Sequence, residues 1–144
     1  MKLYFTFTKK SLGVILASII IVLILLGQFF TASAGGTDGS TNAKRIEYLS
    51  RLGLKVNETA SDIKDVTVPQ NFSSVYKNYN SLQKKAGFNL ENYRGKSVKV
   101  YTYECLDNSE TAVHIMVYDG KIIGGDIADT RIDGEMTPLK KENE

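Results

Sequence analysis

Hydrophobic residues fall into three patterns along the chain. From Leu12 to Phe30 they form a run of 19 residues without a charge. In the middle of the chain they recur at spacings of three and four, and beyond residue 96 they gather in β-branched and aromatic blocks. Folded as a helix, the first run is about 28 Å long at roughly 1.5 Å per residue, close to the ~30 Å hydrocarbon core of a bilayer. It predicts a transmembrane helix over residues 12–30 behind a cytoplasmic stub, residues 1–11. Thr31 to Thr41 are small and polar, which predicts a flexible linker over residues 31–41.

Two helices follow from the middle pattern. Ile46, Leu49 and Leu52 lie three apart, with Ser40 or Thr41 placed to cap the start and Gly53 placed as the residue after the end. A longer stripe joins Phe72, Val75, Tyr76, Tyr79, Leu82 and Ala86, predicting a helix from Asn71 or Phe72 to Ala86 closed by Gly87 and Phe88. Between them Leu54–Val56 and the alternating run from Ile63 to Val68, ended by Pro69, predict short strands. The last third predicts strands at Lys96–Cys105, Thr111–Tyr118 and Lys121–Ile127. Asp119-Gly120 is a two-residue hairpin signal, because both positions of a type I′ turn need φ > 0. Gly124-Gly125 marks a bulge or a close backbone approach. Helices first and a meander last give an α+β class: two helices packed on an antiparallel sheet in one domain over residues 42–139, with a disordered tail at 140–144.

Charge sets the direction of the anchor. Lys2, Lys9 and Lys10 are the only charges before the apolar run, and short basic flanks stay cytoplasmic, so the domain is expected outside. Ala32-Ser33-Ala34 also fits a signal-peptidase site. The run exceeds the ~7–15 residues of a secretory apolar region, which favours an uncleaved signal anchor, with release after Ala34 as the alternative. Either way the domain is exported. Setting aside the three basic residues of the stub leaves 15 Lys and Arg against 16 Asp and Glu, a net charge of −1. A nearly neutral domain with interspersed signs offers no footprint for nucleic acid. A single cysteine, Cys105, excludes an internal disulfide framework.

The order of Arg45-Ile46, Tyr48-Leu49, Leu52-Gly53, Val68-Pro69, Tyr76, Tyr79-Asn80, Leu82-Gln83, Gly87-Phe88, Leu90, Tyr93, Gly95-Lys96, Tyr101-Thr102-Tyr103 and Val117 to Asp126 resembles a domain-of-unknown-function family. Its members are small, single-pass, membrane-anchored exported proteins of Gram-positive spore-forming anaerobes. The resemblance covers nearly all of residues 42–139. It implies a compact extracytoplasmic bacterial domain on one anchor, and it carries over no catalytic residue.

Candidate chemistry is sparse. Nucleophilic catalysis would need Cys105 beside His114, which depends on strand register. If Cys105 pairs with Ala112, His114 lies on the thiol's face; if it pairs with Thr111, His114 points to the other. Asp126, Asp129, Asp133 and Glu135 are the densest carboxylates. The segment from Asp129 to Gly134 departs from a calcium loop, because Arg131 and Lys140 stand where ligands belong. One His and one Cys are too few for zinc, and Gly124-Gly125-Asp126 is no phosphate loop. No catalytic residue, metal or cofactor is therefore expected. Tyr101, Tyr103 and Tyr118 with Asp126 are the expected binding surface, since tyrosine combines apolar area with a polar tip. The function read from these features is a non-enzymatic binding, sensor or accessory module at the cell envelope. Its partners would be the lipid bilayer through Leu12–Phe30 and an envelope protein or glycan. A small envelope hydrolase is the alternative.

Overall fold

The computed structural model describes residues 36–139. The stub, the run Leu12–Phe30 and the tail lie outside the described residues. Among those described, no helix is long and apolar enough to cross a membrane.

Helix α1 covers Asn42–Arg51, strand β1 Asp62–Thr67 and helix α2 Ser74–Lys85; a 3-10 turn at Leu90–Tyr93 leads to β2, Ser97–Glu104. Strands β3 (Thr111–Tyr118), β4 (Lys121–Asp129) and β5 (Met136–Pro138) complete a five-stranded sheet in the order β1-β2-β3-β4-β5. All neighbouring pairs are antiparallel. This is the α+β architecture expected from the sequence.

Local signals account for the helix ends. The Thr41 hydroxyl accepts the Lys44 N–H, and Ser73 accepts that of Tyr76. Gly53 and Gly87 take φ near +86° and +85°, and the amides beyond them bond back to Leu49 and Gln83, a Schellman closure in both helices. Asp119 and Gly120 both have positive φ, as the type I′ turn requires.

The helices cover opposite faces. Leu49 of α1 and Val56 pack with Tyr103, Val113, Ile115, Val117 and Ile122; Phe72, ahead of α2, and Val68, Leu90, Val98, Met116 and Ile123 form a second cluster. Strand β3 lies between them and buries residues of both parities: Ala112, Val113, Ile115, Met116 and Val117. Its apolar block has no alternation because both faces are covered at these five positions.

Several expectations need correction. Helix α2 begins at Ser74, and its stripe is rotated: Val75 is 76 % exposed, while Asn80 and Gln83 are buried. Both polar side chains serve as backbone caps. Asn80 accepts the Leu90 N–H at 2.8 Å, and Gln83 accepts that of Gly125 at 2.8 Å. Leu54–Val56 contributes one bridge, Val56 to Cys105, rather than a strand. Strand β4 runs on to Asp129, and β5 had no sequence signal. Residues 36–41, read as linker, belong to the domain. Ile122 N–H bonds to Thr37 O, Gly39 N–H bonds to Gly120 O, and Asp38 bridges to Lys121. Gly39 is buried where a Cβ would stand 2.6 Å from Ile122 Cγ1.

Candidate functional site: a buried carboxylate and an open sheet edge

A bulge decides the polar chemistry of the sheet. The Asp119-Gly120 turn sets Tyr118 opposite Lys121 and Val117 opposite Ile122, but Ile123 is an extra residue, so Met116 faces Gly124. From there on the register is advanced by one, and His114 faces Asp126. Continuing the hairpin count without the bulge would have set His114 opposite Gly125 and sent Asp126 to the other face. Gly124-Gly125 carried the hint of a bulge; nothing in the sequence said which side chains it would bring together.

Asp126 is 2 % exposed. His114 Nδ1 lies 2.8 Å from its Oδ1, and the Tyr79 hydroxyl donates to its Oδ2 at 2.7 Å. The imidazole is partly exposed, and its Nδ1 is the ring nitrogen turned to the carboxylate. Burial, then the charge of Asp126, pushes the Tyr79 hydroxyl far above its ordinary value, and it stays a donor. Both carboxylate oxygens are thus engaged, one by the sheet and one by α2. The neighbouring cross-strand positions on this face are Thr102 beside His114 and Asp62 beside Thr102.

Cys105 is not part of this group. Its N–H bonds to Thr111 O at 3.1 Å, the register that sends His114 to the opposite face. Partial burial and Asp107 raise the thiol's pKa, the reverse of activation.

The expected binding surface divides between the faces. Tyr103 is 0 % exposed under α1, accepting from Arg45 Nε at 2.8 Å and donating to Asn42 at 2.8 Å. Tyr101, on the same face, has the Arg45 guanidinium 3.6 Å above its ring. Tyr118 lies on the α2 face, edge-on to Tyr93, and Asp126 is buried there too. Tyr103 and Asp126 are therefore not part of a shared surface, while Tyr101 and Tyr118 line one cavity of about 620 Å³ with Lys99 and Val117. In the acidic loop, Arg131 pairs with Asp129 and holds its carboxyl down to about 2. Among the described residues no group of three or more His, Cys, Asp or Glu is arranged to hold a metal ion.

The feature that the sequence reading passed over is β1. Val68 N–H bonds to Lys96 O, which fixes the phase of the β1–β2 ladder, so Ile63, Asp65 and Thr67 turn their N–H and C=O groups outward. Among the described residues nothing pairs with that edge. Ile63 is 55 % exposed and Val66 38 %. An alternating apolar run was visible at Ile63–Val68; its place at the end of the strand order was not.

Residues 48–127 match a family described as a domain of unknown function, DUF4830, and the chain belongs to that family. The matched segment runs from within α1 into β4, and so includes β1, Tyr79, His114 and Asp126. No curated protein and no solved structure matches the chain.

Proposed function

We propose that this DUF4830 protein is a single-pass, membrane-anchored domain displayed outside the cytoplasm, acting by binding a protein partner at the envelope as a sensor, accessory or inhibitor module. The anchor is the uncharged run Leu12–Phe30, and Lys2, Lys9 and Lys10 set its orientation. The observation that carries the reading is where the fold starts. Thr37 already accepts a sheet hydrogen bond, so only residues 31–36 separate it from Phe30. Binding is favoured because Tyr101 and Tyr118 line a cavity of about 620 Å³ and, among the described residues, a whole strand edge stays unpaired. The partner is a polypeptide of the cell envelope.

The test is fractionation of cells expressing the full chain, with protease added from outside. The expected result is a chain that sediments with membranes, resists high salt, is freed by detergent and is cut by external protease. Recovery from the medium with a mature N-terminus at Gly35, read by mass spectrometry, would overturn the anchor and leave a secreted domain.

A further inference from the structure

We infer that β1 is a docking edge for an extended segment of a different polypeptide, one that adds antiparallel to it and carries the order apolar, basic, acidic, apolar. The inference deepens the binding reading above and is independent of the anchor.

Exposed edges are usually protected by charge, and β1 carries Asp62, Lys64 and Asp65. Here the charges are of both signs, so they reject some partners and favour others. Consider first a second copy of the chain. A two-fold antiparallel pair places residues of equal parity opposite each other. The registers that overlap most of β1 centre on Lys64 or on Asp65 and set that residue against its own copy. Like charges directly opposite destabilise a strand pair. Registers centred on Ile63 or on Val66 avoid this, but each overlaps only three of the six residues of β1. Self-pairing is therefore disfavoured along most of this edge.

A different chain meets no such conflict. The outward N–H and C=O groups of Ile63, Asp65 and Thr67 supply the ladder, as in other cases of strand addition to a sheet edge. The side chains then select. Residues opposite Val66 and Ile63 meet exposed apolar groups; the one opposite Asp65 meets a carboxylate already 2.8 Å from Lys99 Nζ, and the one opposite Lys64 meets an ammonium already 2.7 Å from Asp62, so each partner charge joins an exposed ion pair. Because the strands run in opposite directions, the partner reads apolar, basic, acidic, apolar from its N-terminus. Antiparallel addition continues the pairing used throughout this sheet and is the slightly more stable form.

The probes are two short fluorescent peptides flanked by threonines, one with Val-Lys-Glu-Ile at its centre and one with Val-Glu-Lys-Ile. Each is titrated against the purified full chain in detergent, with anisotropy as the readout. The first should bind on the order of tenfold more tightly, since two cross-strand charge pairs change sign between the peptides. The double variant Lys64→Asp, Asp65→Lys, made together with Asp62→Lys and Lys99→Asp so that both ion pairs of the edge are kept with reversed sign, should reverse that preference, and all four positions lie outside the core. Equal affinity for the two peptides, binding of neither, preference for the second by the natural chain, or an unchanged preference in this variant overturns the inference. Loss of the anchor in cells would leave this result untouched.

Discussion

Along the outer edge of β4, residues 36–39, the Gln83 carboxamide and β5 follow one another and take up the backbone groups the strand turns outward. Along the outer edge of β1, Ile63, Asp65 and Thr67 turn theirs to solvent. On the first edge, Ile122 bonds to Thr37, Gly125 to Gln83 and Asp129 to Glu135, with the β5 ladder between. Three separate parts of the chain are needed to seal it, because the bulge bends β4 and no single strand follows its whole length. Among the described residues the open edge has no bulge and no cover, only charges of both signs. An edge left open by neglect would be a hazard for aggregation; one that is regular, of ordinary length and marked by a specific charge order is suited to a chosen partner.

The sealed side should be the more sensitive to change. At Gly125 a Cβ would stand 2.5 Å from the His114 carbonyl and 2.5 Å from Leu139, so the strand pair itself would have to shift. Gly125→Ala is expected to cost about 3 kcal/mol, the upper part of the range for overpacking, measured by urea unfolding. A loss below about 0.5 kcal/mol would show that β4 yields easily and that its edge is not tightly sealed.

A smaller effect is expected where α2 is tied to the same side. Tyr79→Phe removes the donor to Asp126 Oδ2 and should cost about 2 kcal/mol, within the range for hydrogen bonds to charged groups. The pH dependence has a definite sign. Tyr79 keeps its proton in the fold to a higher pH than in the unfolded chain, so the unfolded state binds fewer protons above about pH 10. Stability is full below that pH and falls as pH rises beyond it. Urea midpoints at pH 9 and pH 11 should differ less in Tyr79→Phe than in the natural chain; an equal difference would mean that Tyr79 does not carry this alkaline loss.

On the open side, Ile63→Thr keeps a β-branched residue at a position more than half exposed and should change stability by less than about 0.5 kcal/mol. A larger loss would show that Ile63 is packed in solution and that the edge is not free.

Short-range features were legible in the sequence. Thr41, Gly53 and Gly87 bound the helices through interactions within one turn, and Asp119-Gly120 fixed its hairpin because two adjacent residues had to take positive φ; the Ser73 cap was missed, with the second helix read as starting at Asn71 or Phe72. The stripe on α2 was partly misread because Asn80 and Gln83, which look like surface residues, are buried to cap backbone groups of distant segments. The candidate site was less legible. Tyr101, Tyr103, Tyr118 and Asp126 were chosen as one surface, yet strand parity and helix placement divide them between two faces.

By itself the sequence determined the α+β class, the hairpin, both helix closures and the apolar run that motivates the anchor, each through neighbours in the chain or through a simple period. Only the tertiary structure decided that the helices take opposite faces, that Ile123 advances the register to set His114 against Asp126, and that among the described residues one sheet edge is covered while β1 has no partner. These depend on which segments far apart in the chain meet, and that is settled by packing and by the demand that buried backbone groups be paired.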